Sequence, residues 1–163
     1  MKIIRTVLLL LVVCAFIQPV FAQSDEPLAI VMTADGPIMP PMLEYFRRGI
    51  KTAEQRNAEV LVIQLNTPGG SVETMLEIIQ AMRASTVPVV VYVSPNDAIA
   101  GSAGALITMA GHASAMAPRT AIGASSPVES SGADIETTLD KKIKEILKAR
   151  ARALVEGRGK KAV

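Results

Sequence analysis

Val60-Leu61-Val62-Ile63-Gln64-Leu65-Asn66-Thr67-Pro68-Gly69-Gly70-Ser71 holds the change of pattern that decides the fold. Val60 to Leu65 is short, apolar and rich in β-branched side chains, which is the composition of a buried strand. Asn66-Thr67-Pro68-Gly69-Gly70 breaks it with a turn. Ser71 then has the chemistry of an N-cap, with Thr74 where an acidic residue would complete a capping box. Met75, Ile78, Ile79 and Met82 follow at helical spacing. The stretch reads as strand, glycine turn, helix.

The same alternation extends on both sides. Leu28 to Thr33 reads as a buried strand ending at Asp35-Gly36-Pro37. Pro40-Pro41 opens a helix in which Met42, Tyr45, Phe46, Gly49, Ile50 and Ala53 keep the spacing. Val87 to Val93, with Pro88 near its start, is a third strand. Gly101 to Ala110 is small and apolar and reads as a buried helix, and Ala113 to Met116 as a short fourth strand. Residues 117–134 are rich in Pro, Gly and Ser and read as a loop. Residues 135–155 read as a long amphipathic helix. Strands alternating with helices predict an α/β domain of βαβ units on a mostly parallel sheet.

The first 22 residues read as a signal peptide. Lys2 and Arg5 supply the positive start, Val7 to Ile17 the apolar run, and Val20-Phe21-Ala22 the small residues of a cleavage site. The run is short for a membrane span, which takes about 20 apolar residues. Cleavage after Ala22 predicts an exported protein with one mature domain, residues 23–163. The single cysteine, Cys14, lies in the leader. The mature chain is therefore expected to have no disulfide, no zinc-thiolate site and no cysteine nucleophile.

Charge narrows the partners. Without Lys2 and Arg5 the 17 basic residues become 15, which balance the 15 acidic ones. Residues 141–163 concentrate 9 basic against 2 acidic residues. Aromatic residues make up only 3% of the chain, too few for base-stacking platforms, so a solvated helix face is favoured over nucleic acid.

Two places can carry chemistry. The turn at Gly69-Gly70 lets backbone N–H groups approach a ligand, with a helix N-terminus behind it. Ala100-Gly101-Ser102-Ala103-Gly104 places Ser102 at a strand-to-helix corner among tiny neighbours. This has the logic of a nucleophile elbow without the G-x-S-x-G pattern. The alternative is an N-cap serine in a packing seam. A nucleophilic serine needs a base. His112 lies ten residues on, about 15 Å along a helix, which excludes a Ser-His-Asp triad on an unbroken helix. A buried, neutral lysine is the other choice. On the last helix Ile135, Leu139, Ile143, Ile146 and Leu154 share one face, and Lys142 lies beside it, while Lys141, Lys144 and Lys148 point away. Lys142 snorkelling from the edge of that face is the alternative.

Asn66-Thr67-Pro68-Gly69-Gly70, the strand Val87 to Val93, Ala100 to Gly104, and Met116-Ala117-Pro118 through Ile122-Gly123-Ala124 to Pro127-Val128 resemble the nodulation efficiency protein D (NfeD) family of membrane-associated Clp-like serine proteases. The resemblance implies a Clp protease/crotonase-like fold and a Ser-Lys dyad. Ser102 would be the nucleophile. Lys142 would be the base when the closing Arg-Gly of the family is placed on Arg158-Gly159, with Lys141 and Lys144 as register alternatives. The backbone of Gly69, Gly70 and Ala103 would form the oxyanion hole. No cofactor is implied. The implied substrate is a hydrophobic segment of a stomatin-like membrane protein, and the implied assembly a dimer or larger. Many relatives have a histidine where this chain has Ser126. Relatives also continue beyond Gly159-Lys160-Lys161, so the domain is expected to be incomplete at its C-terminal end. Two other functions compete: a catalytically silent scaffold for a stomatin-like partner, and a crotonase-type acyl-CoA enzyme.

Overall fold

The structure, a computed structural model, describes residues 26–123, 145–149 and 152–154. The expected leader, residues 1–22, and its expected cleavage site lie outside the described residues. The elements in chain order are β1 (Ala29–Asp35), α1 (Pro40–Gln55), β2 (Val60–Asn66), α2 (Val72–Ala84), β3 (Val89–Val93), β4 (Ile99–Gly101), α3 (Ala103–Ala110), β5 (Ala113–Met116) and β6 (Ala121–Gly123). Residues 145–149 and 152–154 are helical.

β1, β2, β3 and β5 form one sheet in that order, and every pairing is parallel. Parallel neighbours need a crossover, and α1 and α2 supply the first two. Each strand adds to the same edge, and the helices lie side by side, α1 against α2 and α2 against α3. The alternation of β2 carries Leu61, Ile63 and Leu65 into the core, and β3 answers with Val89, Val91 and Val93. On the helix side the inward stripe of α1 is Leu43, Phe46, Ile50 and Ala53. Burying each large apolar side chain of this set contributes roughly 1.5–3 kcal/mol.

Two of the expected boundaries change. The helix expected from Gly101 begins at Ala103, because Ile99–Gly101 is a strand. The loop expected over 117–134 contains a second short strand at Ala121–Gly123. β4 and β6 pair in parallel as a small second sheet. Two isolated parallel bridges link these parts: Ile38 with Gly70 joins the chain after β1 to the turn after β2, and Thr67 with Ala100 joins that turn to β4. The turns at the C-terminal ends of the main strands thus meet β4, and in open parallel sheets that end is where ligands bind.

The last helix also differs from its expected face. Ile146, expected inside, is 56% exposed, whereas Leu147 and Leu154 are buried in the core cluster. The seven-residue interval of Leu147 and Leu154 returns to the same side of a helix. With Ile146 exposed, helical spacing no longer sets Lys142 beside the inward face; counted from Leu147 and Leu154, the same spacing favours Lys144 over Lys142 and Lys141.

Candidate active site

Ser102 sits where β4 ends and α3 begins. Its N–H donates to Gly123 O at 2.7 Å, tying the corner to β6, and its C=O accepts from Ala105 N at 3.0 Å. Ser102 has φ 47° and ψ −113°, and its side chain does not cap α3. A non-glycine residue in such a sparsely populated region costs about 1–3 kcal/mol and persists only when its surroundings hold it there. The N-cap alternative for this serine is therefore not what the fold adopts.

Gly69 lies against it. A Cβ built on Gly69 would stand 2.6 Å from Ser102 Cβ and 3.2 Å from Ser102 Oγ, and its φ is +112°. Only glycine meets both conditions, so the turn and the serine corner are in van der Waals contact through a missing side chain.

The backbone donors around Ser102 are set by the two bridges. Ile38 N donates to Gly69 O at 2.8 Å, and Ser71 N donates to Ile38 O at 2.8 Å. In a parallel bridge these flanking groups face Ile38, so the N–H of Gly70 itself faces away from it. Ala103 is the first residue of α3 and is buried. Its N–H belongs to the first turn, whose donors have no intrahelical acceptor. Gly69 differs from the expectation: its N–H donates to Thr67 Oγ1 at 3.1 Å. Of the three expected oxyanion donors, Gly70 and Ala103 keep N–H groups suited to that use, and Gly69 supplies space instead.

The rest of the surroundings is structural. Asp97 and Arg119 clamp the chain before β4 to the chain before β6 with two bonds, Nε to Oδ1 at 2.8 Å and Nη2 to Oδ2 at 2.9 Å. The hydrogen bond from Arg119 holds the Asp97 carboxyl below the ordinary aspartate range. His112 is engaged at the other end of α3. Its Nδ1 accepts from Val89 N at 3.0 Å, and its own N–H donates to Val89 O. It thus pairs with the N-terminal end of β3, while Ser102 opens α3 at the C-terminal side of the sheet, so no Ser-His pair forms. Lys142, Lys141 and Lys144 lie outside the described residues, as does Ser126. Among the described residues no group of three or more His, Cys, Asp or Glu side chains could hold a metal.

Residues 31–161 match the family described as NfeD1b, N-terminal domain. The chain belongs to that family. It is 40% identical over 125 residues to the membrane-bound protease PH1510 of Pyrococcus horikoshii, covering 76% of this chain and 28% of that one. The chain thus spans little more than a quarter of that curated relative. Among solved structures it is similar to the 1510-N membrane-bound stomatin-specific protease. A lysine-to-alanine mutant of that protease, in complex with a substrate peptide, matches with a TM-score of 0.76 at 34% identity, covering 83% of this chain and 63% of that one. A serine-to-alanine mutant gives 0.75 at 34% identity, covering 83% and 66%. ClpP1 from Listeria monocytogenes matches at 0.61 with 19% identity over 77% of this chain and 71% of that one, a likeness of fold. The NfeD1b-type domain described above has the Clp protease-like α/β fold. Among its described residues no helix is long and apolar enough to cross a membrane.

Sequence reasoning missed one residue of this site. Thr67 is fully buried and touches both Gly69 and the serine corner. The signal was present as a β-branched hydroxyl residue inside the turn, next to Pro68, where a backbone N–H needs a local acceptor.

Proposed function

We propose that this domain is a serine peptidase in which Ser102 is the nucleophile and Lys142 the general base. The observation that carries the reading is the backbone of Ser102, held at positive φ against Gly69 with its side chain turned away from helix capping. Membership of the NfeD1b family supports it, as do relatives described as proteases. The serine and lysine replaced in the two 1510-N mutants are about forty residues apart, as are Ser102 and Lys142 here.

In the proposed reaction Ser102 Oγ bonds to the scissile carbonyl carbon while its proton passes to a neutral lysine Nζ. The carbonyl oxygen becomes an oxyanion facing the N–H groups of Gly70 and Ala103, which stabilise charge that develops only in the transition state. The C–N bond then breaks and the amine leaves with the proton returned by lysine. Water, deprotonated by the same lysine, hydrolyses the acyl-serine ester, and the proton returns to Ser102 Oγ.

The proposed substrate is a hydrophobic segment of a stomatin-like membrane protein, met at the extracytoplasmic face of the membrane after removal of the leader. Val31, 57% exposed on edge strand β1, belongs to apolar surface that assembly into a dimer or larger would cover. A fluorophosphonate probe tests the central reading. The full chain should gain one adduct, located on Ser102 by mass spectrometry, and should cleave an apolar peptide. A folded chain with neither adduct nor turnover would be a scaffold instead.

A further inference from the structure

The two halves of the site come from different sheets, and one side chain lies between them. Thr67 is fully buried. Its backbone N–H donates to Ile99 O at 2.7 Å and its C=O accepts from Gly101 N at 2.9 Å, which fixes it to the strand that ends at Ser102. Its Cγ2 methyl packs on Gly104 in the first turn of α3, where a Cβ would collide with it. Its hydroxyl turns the other way: Oγ1 accepts from Gly69 N at 3.1 Å and lies 3.4 Å from Gly69 O as a donor.

Those hydroxyl contacts bear on two peptide planes. The bond from Gly69 N orients the Pro68–Gly69 peptide. Gly69 O also accepts from Ile38 N, and a trans peptide points its N–H opposite its C=O. The direction of Gly69 O therefore sets the direction of Gly70 N–H. Gly69 and Gly70 both have positive φ and little intrinsic preference to stay there. Their orientation must come from partners, and Thr67 Oγ1 is the side-chain partner supplied.

We infer that Thr67 is a positioning residue whose hydroxyl locks the Gly69–Gly70 backbone so that Gly70 N–H is aimed at the carbonyl attacked by Ser102. This rests on the peptidase reading given above. Thr67 touches no reacting atom and acts only through Gly69. Its backbone and methyl hold the strand and the helix, and its hydroxyl holds the oxyanion donor. Those tasks separate by substitution.

Thr67→Val keeps the shape and methyl and removes Oγ1. Gly69 N–H is then left without an acceptor, which lowers stability as well, so melting alone is not the readout. Kinetics are measured at a temperature where every variant is fully folded. Thr67→Val should lower kcat about 10- to 100-fold, less than outright loss of an oxyanion donor, with KM changed less than about 3-fold. Thr67→Ser keeps the hydroxyl and loses the methyl. It should hold kcat within about 3-fold of the parent while melting lower, because a small cavity opens beside Gly104. Amide hydrogen exchange in the full chain gives an arm independent of turnover. Gly69 N–H should exchange at least about 10-fold faster in Thr67→Val than in the parent and stay protected in Thr67→Ser. Equal kcat in Thr67→Val and the parent, equal losses in Thr67→Ser and Thr67→Val, or unchanged Gly69 exchange would each overturn the inference. A parent chain that neither cleaves nor labels would overturn the peptidase reading and with it the catalytic consequence, while the exchange contrast would still decide whether the Thr67 hydroxyl holds the Gly69 turn.

Discussion

Ser71 and Ser102 each immediately precede a helix, and only Ser71 caps the one it opens. Ser71 Oγ accepts from Thr74 N at 3.2 Å with the backbone in the extended region, whereas Ser102 makes no side-chain cap and sits at φ 47°. The same residue type at the same kind of junction is thus used once for stability and once at a stability cost. Strain that does nothing for the helix persists only because the surrounding backbone holds Ser102 in place, and it is the feature on which the proposed reading rests.

That contrast can be measured at Ser102 alone. Ser102→Ala removes the oxygen but keeps the strained φ, and Ser102→Gly removes both. Both variants should lose probe labelling and turnover. The glycine variant should melt a few degrees above the alanine variant, because about 1–3 kcal/mol of relieved strain exceeds the roughly 0.5–1 kcal/mol entropy cost of glycine. Calorimetry of the pair decides this, and an alanine variant melting as high as the glycine variant would remove strain from the account.

Gly36 and Gly69 make a matched test of the turn. Their φ values are +113° and +112°, but a Cβ at Gly36 meets nothing within 4 Å, whereas one at Gly69 meets Ser102. Gly36→Ala should destabilise by about 1–3 kcal/mol from backbone strain and leave turnover per folded molecule unchanged. Gly69→Ala should lose the same or more stability and lower turnover at least about 100-fold, since a displacement of 1 Å at the reacting centre suffices for that.

The base is tested by replacing lysines one at a time. Lys142→Ala should lose nearly as much kcat as Ser102→Ala, because members of a catalytic unit fail together. Lys142→Arg should fail as well, since arginine does not give up its proton in a protein. Lys141→Ala and Lys144→Ala should remain active. Loss confined to Lys144→Ala would move the base two residues along.

The Asp97–Arg119 clamp predicts a pH-dependent margin. Arg119 lowers the folded-state pKa of Asp97 below the ordinary 3.8. A carboxyl depressed on folding adds stability above its unfolded pKa and loses it as pH falls through the folded value. Asp97→Asn should therefore melt below the parent near neutral pH, and the two curves should converge in acid below 3.8. Both side chains are largely exposed, so the difference should be small and shrink with added salt.

The legible parts of the sequence were those where one pattern ran long enough to be seen. β2 and α2, with the Ser71 and Thr74 cap between them, were readable because strand alternation, turn residues and helical spacing follow within one stretch. The exclusion of His112 followed from chain geometry alone. β4 and β6 were not readable: each has three residues, too few for a period, and each exists through pairing with the other twenty-two positions away. The one-position rotation from Ile146 to Leu147 shows how little separates two faces of a helix whose apolar residues are spaced by three and four. Thr67 was passed over because its importance lies in four contacts made at once, none of which composition reveals.

Every strand pairing described in the molecule is parallel, and that has a consequence for when the site comes into being. Ala29 meets Val60, Leu61 meets Val89 and Ile99 meets Ala121, so each ladder closes a loop of roughly twenty to thirty residues before it gains a contact. The Ser102 corner needs two such closures, one bringing Gly123 O to its N–H and one bringing Gly69 against its side chain. A newly made or partly folded chain therefore carries the serine without the contacts that hold it at positive φ. The corner is complete only when the last of these non-local pairings forms, which makes its assembly a kinetic property of the topology.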